Sequence, residues 1–404
     1  MRQEEVARLI LGLVVILLPW AGPYTVIPLA TLAVVFLLDK DSRILSGSLG
    51  MLLLMRLALG LAHINLPLYI IAISFATSTF APLAAKRFDT LTGSIIYLTT
   101  AVALGYPAAY ETSFSAISPE RILFLCLLGG LCGAFLFHAS RKRDFAVPFG
   151  SAMAMWLFSF DYPLPELRRI LLICIIALGL GLAAYWAKAA DSDAVLSETL
   201  ICLLVVLFSG PAWFLLLLSF YLMGGGFTKY GYTYKQKLGI AQSKGGVRGY
   251  KNVYSNSLVP LIFAVAHGVY GSDMLVFAFI GAVATANGDT LASEIGETSR
   301  TRPIMITTLK PTDVGVDGGV TSLGEAASLI GAAIVGLLAA ATGMTDLHGV
   351  LAGAVGGFLG TNFDSFLGAT LQRKGTLSNN GVNLLATLFG ALVGAGIWWT
   401  LKSF

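Results

Sequence analysis

The hydrophobic pattern divides the chain into fifteen apolar runs, at 6–20, 22–38, 45–62, 66–84, 92–110, 121–138, 146–160, 169–187, 196–209, 211–223, 254–270, 274–291, 322–343, 348–370 and 380–401. A helix needs about 20 apolar residues to cross a bilayer. The pattern therefore predicts an all-α fold, a polytopic transmembrane helical bundle of about 15 spans. Several runs are short, so tilted or re-entrant pieces are expected. Up to residue 194 the loops are short and polar residues within runs are few. Arg56 and His138 are exceptions, read as paired or snorkelling. The run 6–20 lacks a small-residue cleavage site and is expected to be a retained span. Residues 1–194 are read as a supporting helical region and 195–404 as the part that carries the chemistry.

The second half earns that reading through polar positions at the ends of its runs. In the stretch following Ala286, at about 100° per residue, Asp289, Thr290, Ser293, Glu294, Glu297 and Asn287 share an arc of roughly 160°. Leu291, Ile295, Ala292 and Gly288 fill the other side. Carboxylates near a membrane are costly and mark function or pairing. Two or three on one face suit a hard cation such as Mg²⁺. The connector that follows carries Arg300, Arg302 and Lys310 and ends in Asp317-Gly318-Gly319-Val320-Thr321-Ser322-Leu323-Gly324-Glu325. Ser322 and Glu325 have capping-box spacing, which predicts a helix start at Ser322. Glycines before a helix start let backbone N–H groups approach a phosphate.

Two later segments repeat this polarity. Asp364, Thr361, Gln372, Ser365 and Asn362 share an arc of about 160°. Asn379, Asn380 and Asn383 share a face at another helix start, where capping by Ser378 or Asn379 accounts for only part of the group. The loop 224–257 carries Lys229, Lys235, Lys237, Lys244, Arg248 and Lys251 without one acid. It reads either as a basic loop beside anionic headgroups or as a phosphate clamp.

Composition fits a membrane protein: 56% of residues are hydrophobic, 12% are charged and the mean hydropathy is +0.80. A net charge of +4 is too small to argue for a nucleic-acid partner. The four cysteines, Cys126, Cys132, Cys174 and Cys202, lie in apolar runs without metal or disulfide spacing. No histidine has a partner at zinc spacing. Most Lys and Arg fall in alternate turns. This places the N-terminus, the 224–257 loop and the 300–310 connector on the cytoplasmic side.

Four blocks carry a resemblance: Asn287-Gly288-Asp289-Thr290-Leu291-Ala292-Ser293-Glu294-Ile295-Gly296, Lys310-Pro311-Thr312-Asp313-Val314-Gly315, Gly318-Gly319-Val320-Thr321 and Ser378-Asn379-Asn380-Gly381-Val382-Asn383. Over about residues 195–404 the chain resembles the integral-membrane phytyl-phosphate kinases of tocopherol synthesis and their uncharacterised prokaryotic relatives. It is more distantly similar to dolichol and phytol kinases and phosphatidate cytidylyltransferases, which use CTP and a divalent metal. In their pattern of acidic helix, lysine and Gly-Ser-type turn, the places would be taken by Asp289, Lys310 and Gly318-Gly319-Val320-Thr321-Ser322.

The resemblance implies a membrane phosphotransferase that uses CTP to convert an isoprenyl monophosphate, phytyl or geranylgeranyl phosphate, to the diphosphate. Asp289, Lys310 and Glu294 are the expected catalytic residues. Asp289, Glu294, Asp317 and Asp364 are the expected Mg²⁺ ligands. Lys244, Arg248, Gly318, Gly319, Thr321, Ser322, Asn379, Asn380 and Asn383 are expected to bind nucleotide or phosphate, and Asn287, Ser293 and Asn362 the substrate. Expected partners are the isoprenyl phosphate, the nucleotide triphosphate and membrane lipid, with a homo-oligomer open. Two alternatives stand: cytidylyl transfer giving a CDP-linked lipid, and secondary transport.

Overall fold

The computed structural model describes residues 3–17, 26–114, 116–242 and 246–403. Each of the fifteen apolar runs falls on a helix, and twelve helices among the described residues are long and apolar enough to cross a membrane. Helices α1 (Gln3–Leu17), α2 (Val26–Leu38) and α7 (Arg143–Leu157) have 15, 13 and 15 residues and fall below that length. The end of the first expected span and the start of the second, within 18–25, lie outside the described residues.

The chain forms two compact units, residues 1–180 with 195–200, and residues 181–194 with 201–404. The first holds α1, α2, α3 (Arg43–Leu61), α4 (Leu68–Ala85), α5 (Thr90–Ser113), α6 (Pro119–Ala139), α7 and most of α8 (Leu167–Trp186). Its core is α4, which packs against α1, α5, α6 and α7. Four hydroxyls of α4 are buried, and each bonds a backbone carbonyl: Ser74 to Pro148 (2.8 Å), Thr77 to Ser74 (2.9 Å), Ser78 to Ser74 (2.7 Å) and Thr79 to Phe75 (2.7 Å). Arg8 is likewise buried and bound, to Glu4 at 3.2 Å and Asp144 at 2.8 Å. The Nε of Arg56 is enclosed and has no partner among the described residues.

Helix α9 (Ser192–Ser209) is shared between the units. The second unit continues with α10 (Pro211–Thr228), the short α11 (Tyr232–Lys237), α12 (Tyr250–Tyr270), α13 (Asp273–Gly296), α14 (Ser322–Ala341), α15 (His348–Leu367) and α16 (Asn379–Lys402). Here α13 is the axis, packed against α10, α12, α14, α15 and α16. Small residues permit this. A Cβ on Gly281 would stand 2.2 Å from the Gly390 carbonyl, and one on Gly288 would stand 2.9 Å from Thr361 Oγ1. Such close backbone approach is how spanning helices associate without a hydrophobic driving force between them. The connector between α13 and α14 is ordered by a two-stranded antiparallel pairing, β1 (Ile304–Met305) with β2 (Gly319–Val320).

Candidate functional site

Five helix ends meet around one cavity of about 320 Å³ in the second unit. They are the starts of α12, α14 and α16 and the ends of α13 and α15. From α13 come Asp289, Thr290, Ser293 and the adjoining Glu297, and from α12 come Asn252 and Asn256. Asp364 and Ser365 come from α15, Gln372 from the π-helical turn Gly368–Gln372 that follows it, and Asn379 and Asn383 from α16. The connector adds Asp317, Gly318, Gly319 and Thr321, and the basic loop adds Gln242 and Arg248.

The start of α14 is built differently from its predicted form. Thr321, not Ser322, is the N-cap: its Oγ1 accepts the Gly324 N–H at 3.0 Å. Ser322 is exposed in the first turn and does not line the cavity. Gly318 has φ +82°, and a Cβ there would stand 2.4 Å from the Ala369 Cβ. Both backbone angle and space demand glycine at this point, where the connector lies on the π turn. A π turn beside a cavity re-aims the side chains that follow it. Here it carries Gln372 to the rim.

Several lining groups have no internal partner. Oδ2 of Asp364 is enclosed and bonded to nothing among the described residues. Asp289 and Asp317 lie close enough to act electrostatically on Asp364. Oδ1 of Asn252 is likewise enclosed and has no hydrogen-bond partner among the described residues, and Asn383 beside the cavity is 8% exposed. Ser378 caps α16 by accepting the Gly381 N–H, which leaves Asn379 and Asn383 free of that duty. Burial and the Glu294 carboxylate push the Glu297 carboxyl up to about 7, with Lys235 opposing the rise. Buried polar groups are normally satisfied, so this concentration of unsatisfied ones is the mark of a ligand site.

Other predicted residues lie elsewhere. Glu294 is 2% exposed and pairs with Lys235, which is 1% exposed. It also accepts from Thr228 at 3.0 Å and Gln242 at 2.6 Å, so its oxygens are taken and it does not line the cavity. Asn287 is fully buried and donates to the Gly331 carbonyl at 2.8 Å, outside the cavity. Asn362 holds Glu325, itself a lining residue, at 2.9 Å. Lys310 is exposed on the turn after β1, and neither it nor Asn380 lines the cavity. Lys244 lies outside the described residues. The amides Asn252 and Asn256 were not singled out from the sequence; two asparagines four apart in the first turns of an apolar helix were the available signal.

Among the described residues, no three His, Cys, Asp or Glu side chains are close enough to hold a metal by themselves. Mg²⁺ takes one or two carboxylates and completes its shell with water and phosphate oxygens. The unpartnered oxygen of Asp364, with Asp289 and Asp317 near it, is a hard-donor set that fits such shared coordination.

The model of the integral membrane protein family DUF92 matches residues 175–391. An uncharacterised membrane protein of Methanocaldococcus jannaschii is 33% identical over 232 residues, 57% of this chain and 94% of that protein. Protein PGR of Arabidopsis thaliana is 28% identical over 272 residues, 55% of this chain and 94% of its own length. The chloroplastic Protein VTE6 of the same plant is 25% identical over 192 residues, 46% of this chain and 58% of its own length. No solved structure matches the chain. Every lining residue of the cavity falls within the matched span, and the chain belongs to the DUF92 family of integral membrane proteins.

Proposed function

We propose that the protein is a prenyl-phosphate kinase-like membrane enzyme. It transfers the γ-phosphoryl group of CTP to an isoprenyl monophosphate, phytyl or geranylgeranyl phosphate, at the cytoplasmic face. The observation that supports this best is the meeting of five carboxylates, Asp289, Asp317 and Asp364 among them, with one guanidinium and a glycine-rich helix start in a single cavity with unsatisfied polar groups. The motif resemblance to phytyl-phosphate kinases supports the same reading.

Phosphoryl transfer depends on positioning and charge neutralisation more than on covalent chemistry by the protein. Gly318, Gly319 and the N–H groups opening α14 would receive nucleotide phosphates. Asp289, Asp364 and Asp317 would hold the divalent cation. When bound, Mg²⁺ supplies charge neutralisation and a template for the triphosphate. A phosphate oxygen of the acceptor bonds to the γ-phosphorus, the bond from that phosphorus to the β–γ bridging oxygen breaks, and CDP leaves. The acceptor oxygen is already anionic, so no strong base is required.

The position of the polar groups speaks against the transport alternative. They gather at five helix ends on one side of the second unit, whereas secondary transporters bind near the midplane. The test is to incubate the purified protein in detergent with labelled CTP and geranylgeranyl or phytyl monophosphate. CDP and prenyl diphosphate are the expected products. Pyrophosphate with a CDP-linked lipid would replace the kinase reading by cytidylyl transfer. No nucleotide turnover, together with binding of another solute, would favour transport.

A further inference from the structure

Arg248 is the one cation among the described lining residues of the cavity. It sits in a shaped seat. Its backbone is pinned on both sides, with Arg248 N–H donating to the Ala189 carbonyl at 2.8 Å and Asp191 N–H donating to the Arg248 carbonyl at 3.0 Å. Its guanidinium carbon lies 4.6 Å from the Phe220 ring centroid and 5.8 Å from that of Tyr221. The Tyr221 hydroxyl is tied to Ser257 at 2.8 Å, which fixes this aromatic bed to α12. One turn further along α10, a Cβ on Gly224 would stand 1.7 Å from Nη2 and 2.7 Å from Cζ. Only glycine leaves room for the guanidinium there.

The seat belongs to α10, a helix that also presents Leu215 and Leu222, 50% and 67% exposed, toward the surroundings. The five lining carboxylates come from α13 and its end, α14, α15 and the connector. Arg248 thus reaches the cavity from the loop before α12, with its guanidinium backed by α10, whereas the carboxylates reach it from other elements. A nucleotide triphosphate arrives with its metal, and the metal needs carboxylates. A phosphate monoester has no such metal and needs a direct cation. A planar guanidinium meets that need with paired donors.

We propose that Arg248, seated on Phe220 and over Gly224, is the subsite for the phosphate monoester of a membrane-lipid acceptor, apart from the place of the nucleotide. Gly224 is a positioning residue that acts through Arg248. The acceptor's place in a transfer reaction rests on the kinase-like reading; the binding of a lipid monoester does not.

The test is equilibrium binding to the full chain in detergent, with no turnover read. Its failure and the failure of the transfer reading are therefore separate results. The probes are geranylgeranyl monophosphate, geranylgeraniol, inorganic phosphate and CTP with Mg²⁺. The wild type should prefer the lipid monophosphate over the alcohol at least tenfold, roughly the worth of one charge-assisted hydrogen bond. Arg248→Lys and Gly224→Ala should each weaken the monophosphate by about 10- to 100-fold while CTP affinity holds. The Gly224→Ala effect should vanish in an Arg248→Ala background, because coupled residues are not additive. Phe220→Leu, which keeps the glycine, should reproduce the shift if Gly224→Ala fails to fold. Weakened CTP with unchanged monophosphate would overturn the assignment. So would equal binding of monophosphate and alcohol, competition by inorganic phosphate as strong as the lipid's, or a Gly224→Ala effect that persists without Arg248.

Discussion

Helices α4 and α13 are each the most enclosed candidate span of their unit, and both are rich in polar side chains. They differ in where the polar groups end. In α4 every one of the four hydroxyls returns to a backbone carbonyl, so the helix carries its polarity as internal glue. In α13, Thr285 bonds the Gly281 carbonyl of its own helix and the Gly356 carbonyl of α15, and Asn287 and Glu294 bond neighbouring elements, whereas Asp289 opens unpartnered into the cavity. Polarity inside a span therefore does not identify chemistry; unpartnered polarity gathered around one cavity does.

The largest break in this comparison is expected at Asp289. Asp289→Asn keeps the shape and removes the charge, and turnover should fall by at least about 10²-fold, the scale for losing one charge-stabilising group. Thermal melting in detergent should barely move, because Asp289 has no internal partner to lose. A large loss of stability with retained activity would place Asp289 with the α4 hydroxyls.

Glu294 should behave in the opposite way. Lys235→Ala or Glu294→Leu leaves a buried charge unmatched, which costs roughly 3–5 kcal/mol. The double replacement Lys235→Met with Glu294→Leu should recover most of that stability. If Glu294→Leu abolishes nucleotide turnover in a protein whose melting temperature is unchanged, the pair belongs to the site.

A smaller effect is expected in α4. Thr79→Val removes one buried hydroxyl bond and should cost about 0.5–1.5 kcal/mol in chemical denaturation with turnover unchanged. Lost activity at full stability would give the first unit a direct part in the chemistry.

The smallest is a pH effect at Glu297. Its folded carboxyl titrates near 7, above the ordinary 4.5. Between those values the folded state holds a proton that the unfolded state has released, so stability falls as pH rises through that window and levels off above it. Glu297→Gln should flatten this slope, which melting temperatures at pH 5, 6, 7 and 8 would show. A slope that survives the substitution would assign it to another group.

The fold class was legible because fifteen apolar runs leave a helical membrane protein as the remaining option. The site was legible where the 3.6-residue period was read narrowly. Asp289, Ser293 and Glu297 advance by roughly 40° per step and reach one cavity. Glu294 and Asn287 stand roughly 140–160° from Asp289, and that offset turns both toward α10, where Thr228 and Met223 meet them. An arc drawn wide enough to hold all of them joined two faces with different tasks. Lys235 was illegible as a structural residue because its partner lies 59 positions away. Its loop neighbours gave it the look of one more basic surface residue. The amides of α12 were missed because only the folded chain brings the start of that helix beside the ends of α13 and α15.

The most direct test of the central claim is a structure of the protein with Mg²⁺ and a non-hydrolysable CTP analogue. The account predicts the triphosphate at the start of α14, with the metal between its oxygens and the carboxylates of Asp289, Asp364 or Asp317. A nucleotide bound instead at the exposed turn around Lys310, with those carboxylates untouched, would contradict it.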